Sequence, residues 1–166
     1  MRSIAFYRIN EKDIVNRRQL TQELLAAGCN PLNFSIGKPQ HDAFCLLGEV
    51  GHWRVVYVER GQESEPLFES ADEAEAYAFF KTHLLNQRHW HLVGFFALES
   101  EALALQHHLQ QSGIDCFRND IPAYRDANDP RYRVFVSGQA IFAVRQLGLA
   151  LPLTHLTNLT DLTDST

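Results

Sequence analysis

The run Trp53-Arg54-Val55-Val56-Tyr57-Val58-Glu59-Arg60-Gly61 constrains this chain more than any other stretch. It is dense in β-branched and aromatic residues and closes on a glycine, which predicts a strand followed by a turn. Trp53, Val55 and Tyr57 alternate with Val56 and Val58, so both faces of the strand are apolar. A strand of that kind belongs inside a sheet, not at its edge. A polar turn and the extended piece Pro66-Leu67-Phe68-Glu69 follow. Ser70-Ala71-Asp72-Glu73 then has the form of a capping box, the serine accepting a backbone N–H and Glu73 reaching back to the serine. The helix that starts there is predicted to reach about Asn86. Ala74, Tyr77, Ala78 and Lys81 share one stripe, with Phe80 and Leu84 beside it.

The rest of the chain arranges itself around this strand and helix. Asn10 can cap a helix from Glu11 to about Ala27, preceded by an extended start at Ile4–Ile9, and Gly28 is placed as its stop. The helix's apolar positions Ile14, Leu20, Leu24, Leu25 and Ala27 are only partly in helical register, and Arg17-Arg18 interrupts the front half. Leu32, Phe34 and Ile36 alternate with polar residues, as in a half-buried strand. Ala43 to Val50 is a second apolar strand, separated from Trp53 only by Gly51-His52, which predicts a hairpin. Residues 1–86 thus read as a module of helix, about four antiparallel strands, and helix. Residues 87–150 read as β-α-β-β-α: a strand at His89–Phe96, a helix from a Ser100 cap to about Ser112, strands at Ile114–Arg118 and Arg131–Ser137, and a last helix at Gln139–Leu147. Ile141, Val144 and Leu147 are its expected buried positions. Residues 151–166 form a tail with a leucine-threonine repeat. The expected class is therefore α+β, with antiparallel sheets flanked by helices and a second half like a truncated ferredoxin-like unit.

Totals narrow the function classes. A chain of 166 residues makes one domain or two small ones, and can bury roughly 70% of its unfolded surface without metal or disulfide staples. No window approaches ~18 consecutive apolar residues, so no spanning helix is expected. The first residues lack the pattern of a signal peptide. Cys29, Cys45 and Cys116 have no C-x-x-C spacing and read as reduced core thiols of a cytoplasmic protein. The net charge of −5 argues against direct binding of nucleic acid, which needs clustered Lys and Arg.

Candidate chemistry is sparse. His89 and His91 share one face of a strand, as two metal ligands would, but no third ligand sits at a defensible spacing. No glycine-rich phosphate loop, G-x-S-x-G, H-E-x-x-H or kinase signature occurs, so no cofactor, metal or catalytic residue is expected. Two surfaces stand out instead. Between Glu59 and Glu75 there are seven acids, including Glu59, Glu63, Glu65 and Glu69, against the single base Arg60. Such a run is either a solvated face or a patch that steers toward a basic partner. The segment Asn119 to Arg133 reads as an exposed loop by composition, and it mixes Asp120, Tyr124, Arg125, Asp126, Asp129 and Tyr132 with further arginines. Tyr and Arg are the residues most common at interface hot spots.

The motif Trp53 to Gly61, the Leu67-Phe68-Glu69-Ser70 piece and the helix Asp72-Glu73-Ala74-Glu75-Ala76-Tyr77-Ala78-Phe79-Phe80 together resemble immunity proteins of bacterial polymorphic toxin and contact-dependent growth inhibition systems. The second half adds no family motif to that resemblance. It implies a non-enzymatic role: binding a cognate toxin domain, such as a nuclease, and occluding its active site. A small-molecule-binding regulatory module, with the ligand held on the second half's sheet, is the competing expectation.

Overall fold

The computed structural model describes the backbone of residues 11–49 and 51–152 and the side chains of 16–49 and 51–152. The extended start at Ile4–Ile9, the Asn10 cap, the side chain of Ile14 and the repeat in the tail lie outside the described residues. The protein is α+β, and its contacts divide it into two compact units. One holds residues up to Ala26 together with Leu32–Asn86; the other holds Ala27–Pro31 together with the chain from Gln87 onward.

The first unit is organised on β3 (His52–Glu59). Helix α1 (Glu11–Ala26) leads through a 3-10 turn (Pro31–Asn33) into β1 (Phe34–Ile36), β2 (Ala43–Glu49) and β3. β4 (Gln62–Glu63), β5 (Phe68–Ser70) and helix α2 (Glu73–Leu85) follow. β2 pairs antiparallel with β3 along its whole length, from Ala43 opposite Val58 to Glu49 opposite His52. The other side of β3 is shared by β4 at one end and β5 at the other. As its sequence predicts, β3 is an interior strand, with Trp53, Val55, Val56 and Val58 all buried.

Its two faces do different work. Val56 and Val58 join Ala43, Cys45 and Leu47 in one apolar cluster. Trp53 and Val55 lie on the other face, where α2 packs. There Tyr77 meets the Trp53 ring edge-on at 5.7 Å, Phe44 meets His83 at 4.7 Å, and Phe68 of β5 stacks on Phe79 at 4.5 Å.

The structure departs from the sequence reading at the helix cap and in the direction of β1. The helix cap is Asp72, whose carboxylate accepts from the Ala74 N–H at 2.7 Å, not Ser70. Ser70 is held as the last residue of β5, opposite Trp53. From there its hydroxyl accepts from the Asp72 N–H and donates to Glu75. The buried stripe of α2 is Ala76, Phe80 and Leu84; the stripe containing Ala74, Tyr77, Ala78 and Lys81 instead lines a groove against α1. Finally, β1 runs parallel to β2, not antiparallel. Residues 37–42 suffice to return the chain because β1 has only three residues, a span of ~10 Å. Within β1, Ser35 is buried although the alternation made it a surface position.

The second unit runs β6 (Trp90–Phe96), α3 (Glu99–Gln111), β7 (Phe117–Arg118), β8 (Tyr132–Ser137), α4 (Ala140–Gln146). Its sheet has the order β6-β8-β7, with β8 antiparallel to both neighbours. Val93, Val134 and Val136 of the sheet, Ala102 and Leu109 of α3, Ile114, and Ile141 and Val144 of α4 form one buried cluster. The Ser100 cap is not observed: α3 begins at Glu99 after Leu98, without a side-chain cap. Leu147, expected inside, is exposed because α4 ends one residue before it.

The segment Ala27–Pro31 is drawn into this unit by its polar groups. The buried His91 ring donates from Nε2 to the Gly28 carbonyl at 2.9 Å, and the Asn30 amide donates to the Trp90 carbonyl at 2.6 Å. Gly28 stops α1 with φ +83°, and a Cβ there would lie 2.5 Å from the Gln139 nitrogen. Only glycine meets both demands.

Val56 is 1% exposed, so Val56→Asp would bury an unpaired carboxylate and cost about 3 kcal/mol or more. Tyr57 is half-buried and rests edge-on against Phe44 at 5.0 Å, so Tyr57→Asp is expected to cost less. Urea unfolding followed by circular dichroism checks this order; equal midpoints for the two variants would refute the face assignment.

Candidate binding surface

The segment 119–131, read from composition as an open loop, continues the β7–β8 hairpin. Its backbone pairs rung by rung: Asn119 N–H to the Arg133 carbonyl, Ile121 and Arg131 with each other, and Tyr124 N–H to the Asp129 carbonyl at 2.8 Å. The turn at the tip is tied by the Asp126 carboxylate, which accepts from the Asn128 N–H at 2.8 Å. Asp and Asn suit such a tip because their short side chains satisfy backbone donors locally. The composition that signalled an exposed loop is therefore what orders the hairpin.

The candidate residues divide sharply by role. Asp120 accepts from the Arg118 guanidinium and from the Arg133 backbone N–H, and the Arg118 guanidinium holds its carboxyl below the usual range. Arg118 also binds Glu99 at 3.0 Å and lies 5.4 Å over the Tyr132 ring. Asp129 is ion-paired with Arg131. These groups are engaged in building the hairpin, as Asp126 is at its tip, and Arg118 ties it to Glu99 of α3. Tyr124 and Arg125 are different. Tyr124 is 48% exposed, with its ring edge-on to Phe95 at 5.5 Å and the guanidinium groups of Arg131 and Arg125 over it at 5.0 and 5.9 Å.

The acidic run lies in the first unit. Glu63 is paired with Arg54 at 2.8 Å, Glu75 accepts from Ser70, and Asp72 caps α2. Glu59, Glu65 and Glu69 are exposed; Glu69 lies 3.8 Å from His52. As a patch it is thinner than the sequence count suggests. The groove of the same unit, about 500 Å³, runs between α1 and α2 and is lined by Asn16, Gln19, Glu23, Glu73, Tyr77 and Lys81 among others. Lys81 and Glu23 pair across it at 2.7 Å. Burial, with Glu73 beside it, pushes the Tyr77 phenol up to about 12, so that side chain offers a neutral hydroxyl.

Sequence reasoning missed one surface. Cross-strand pairing puts Leu92, Phe135 and Phe117 in one row, and Phe95 opposite Arg133 in the next. These residues alternate with the core valines of the same strands, so they stand on the outer face of the sheet. The signal was present in Phe135 alternating with Val134 and Val136. In β6 it was obscured by a register shift between Leu92 and Gly94, which breaks the period of two.

Among the described residues no group of three or more His, Cys, Asp or Glu is placed to hold a metal ion, and no helix is long and apolar enough to cross a membrane. Comparison of the chain with protein-family models, curated proteins and solved structures returns no match.

The three thiols are neutral at physiological pH. Burial raises all of them, Cys29 to about 11, with the Asp115 carboxylate adding to the effect at Cys116. A thiol raised from 9.0 to about 11 supports folding fully below the lower value. That support fades as pH climbs through the interval, a loss on the order of 2–3 kcal/mol. Urea titrations at pH 8 and pH 10.5 are expected to show a steeper loss of stability for the wild type than for Cys29→Ala. Parallel losses would place the thiol in a more polar setting than its 3% exposure indicates.

Proposed function

We propose that this protein is an immunity-type inhibitor that binds a bacterial toxin domain and occludes its active site, without chemistry of its own. The observation that carries the reading is the ordered hairpin tip. Tyr124 is exposed and rigidly seated on Phe95, with guanidinium groups of Arg125 and Arg131 over its ring. A large ring held in place costs little entropy to desolvate, and Tyr and Arg together are the common composition of binding hot spots. The resemblance of the Trp53–Leu85 stretch to immunity proteins supports the same reading. Glu59, Glu65 and Glu69 would speed encounter with a toxin that presents a basic groove, as a nuclease does.

A regulatory module that binds a small molecule is the second reading. What favours it is the α1–α2 groove, with its mixture of apolar wall and polar side chains. That groove lies in the first unit, not on the sheet of the second, where the sequence led us to expect a ligand.

Kinetics with a toxin domain taken from a neighbouring gene separates these roles. Tyr124→Ala or Arg125→Ala is expected to speed dissociation about thirtyfold, the equivalent of ~2 kcal/mol. Replacing Glu59, Glu65 and Glu69 by Lys is expected to slow association several-fold at low salt, and less at high salt. An adjacent gene whose product does not bind the wild-type protein would refute the inhibitor reading.

A further inference from the structure

The outer face of the β6-β8-β7 sheet is aromatic and open. Trp90 is 43% exposed and Phe95 36%, unusual for rings of that size standing on one surface. Phe117 and Phe135 stack at 5.6 Å, 15° from parallel, and Trp90 meets Phe117 edge-on at 5.0 Å. The array is thus pre-ordered by its own ring contacts. It is continuous with the hairpin tip through the contact of Phe95 with Tyr124. The outward positions of the three strands contain no carboxylate; their one charged group is Arg133, whose guanidinium lies 5.3 Å over Phe135. Its Nε donates to the neutral Asn119 carbonyl at 2.6 Å. Among the described residues neither Arg133 nor Arg125 has an ion-pair partner, whereas Arg118 and Arg131 do.

We propose that this aromatic sheet face is where the protein partner is gripped, an assignment that rests on the inhibitor reading above. The partner's complementary surface is an apolar ridge flanked by carboxylates. The ridge covers Trp90, Phe117 and Phe135, and the carboxylates meet Arg133 and Arg125. Charge complementarity selects this occupant. Arginines stacked on rings and without an ion-pair partner, Arg133 feeling only the Asp120 carboxylate that Arg118 already pairs, gain from a carboxylate brought in by a partner. Single-stranded nucleic acid would also stack on such rings, but two unpaired guanidinium groups beside Asp126 and Asp129 neutralise few phosphates. Area and anchors then fall together: the sheet face supplies an apolar centre that Tyr124 and Arg125 extend onto the hairpin tip.

Oxidative footprinting by hydroxyl radicals tests this on the unmodified protein, alone and with the adjacent toxin domain. Oxidation of Trp90 and Phe135 is expected to fall about fivefold or more in the complex, in line with burial of an interface centre. Trp90→Ala and Arg133→Gln, checked for wild-type melting, are each expected to weaken binding at least about tenfold. If wild type binds but the rings oxidise as in the free protein, the sheet face is excluded while the inhibitor reading stands. If wild type does not bind at all, the inhibitor reading fails and this assignment goes with it. Two further outcomes would each overturn the proposed occupant: protection of the same rings by a single-stranded oligonucleotide, or by self-association seen in sedimentation.

Discussion

A strand buried on both faces makes two demands at once: backbone partners along both edges and apolar cover above and below. In the first unit β3 makes these demands, and the arrangement around it follows from meeting them. β2 satisfies one edge completely. The other edge is met piecewise, by two residues of β4 and three of β5, so the acid-rich chain from Gly61 to Leu67 is led along the side of β3. That routing delivers the chain to Ser70 opposite Trp53. Asp72 can then start α2 over the Trp53–Val55 face, where Tyr77, His83 and Phe79 find their ring partners. The acidic residues are spread along this path by the same constraint, and Glu63 ends up beside Arg54.

Much of this was legible in residue order, because period and turn chemistry are local. The β3 strand, the β2–β3 hairpin and the span of α2 follow from alternation, glycine and a capping residue. The details that escaped are those settled by tertiary competition. Ser70 and Asp72 both suit a cap, and pairing with Trp53 removes Ser70 from contention. α2 carries apolar residues around much of its surface, so its sequence does not say whether Ala76-Phe80-Leu84 or Ala74-Tyr77-Ala78 turns inward. Nothing in Phe34-Ser35-Ile36 specifies direction, so the parallel pairing of β1 had no local signature.

The candidate surface was half legible for a related reason. Residue types at 119–133 pointed to a binding loop, but type does not separate groups that build a hairpin from groups it leaves outside. Asp120, Asp129 and Tyr132 are occupied by arginines of their own hairpin. Tyr124 stands on the last paired rung with its ring exposed, and Arg125 lies beyond it. The aromatic sheet face was illegible for a stronger reason: it is assembled from three strands, each contributing one or two rings.

The register shift in β6 has a consequence for how this sequence can vary. Leu92 faces Phe135 and Gly94 faces Val134, leaving Val93 as a supernumerary residue that drops into the core. Gly94 beside it has no room for a side chain, since a Cβ would lie 2.5 Å from the Phe96 ring and 2.6 Å from Leu105. Past that point the parity of the strand is inverted, which is why Phe95 faces out and Phe96 packs inward. Loss of Val93 would close the bulge and leave both rings in place, Phe95 opposite Arg133 and Phe96 opposite Tyr132, with one buried valine missing from the core. A residue inserted after Gly94, where no bulge stands to absorb it, would instead turn the two rings over. β6 can therefore shorten at the bulge more cheaply than it can lengthen beyond it.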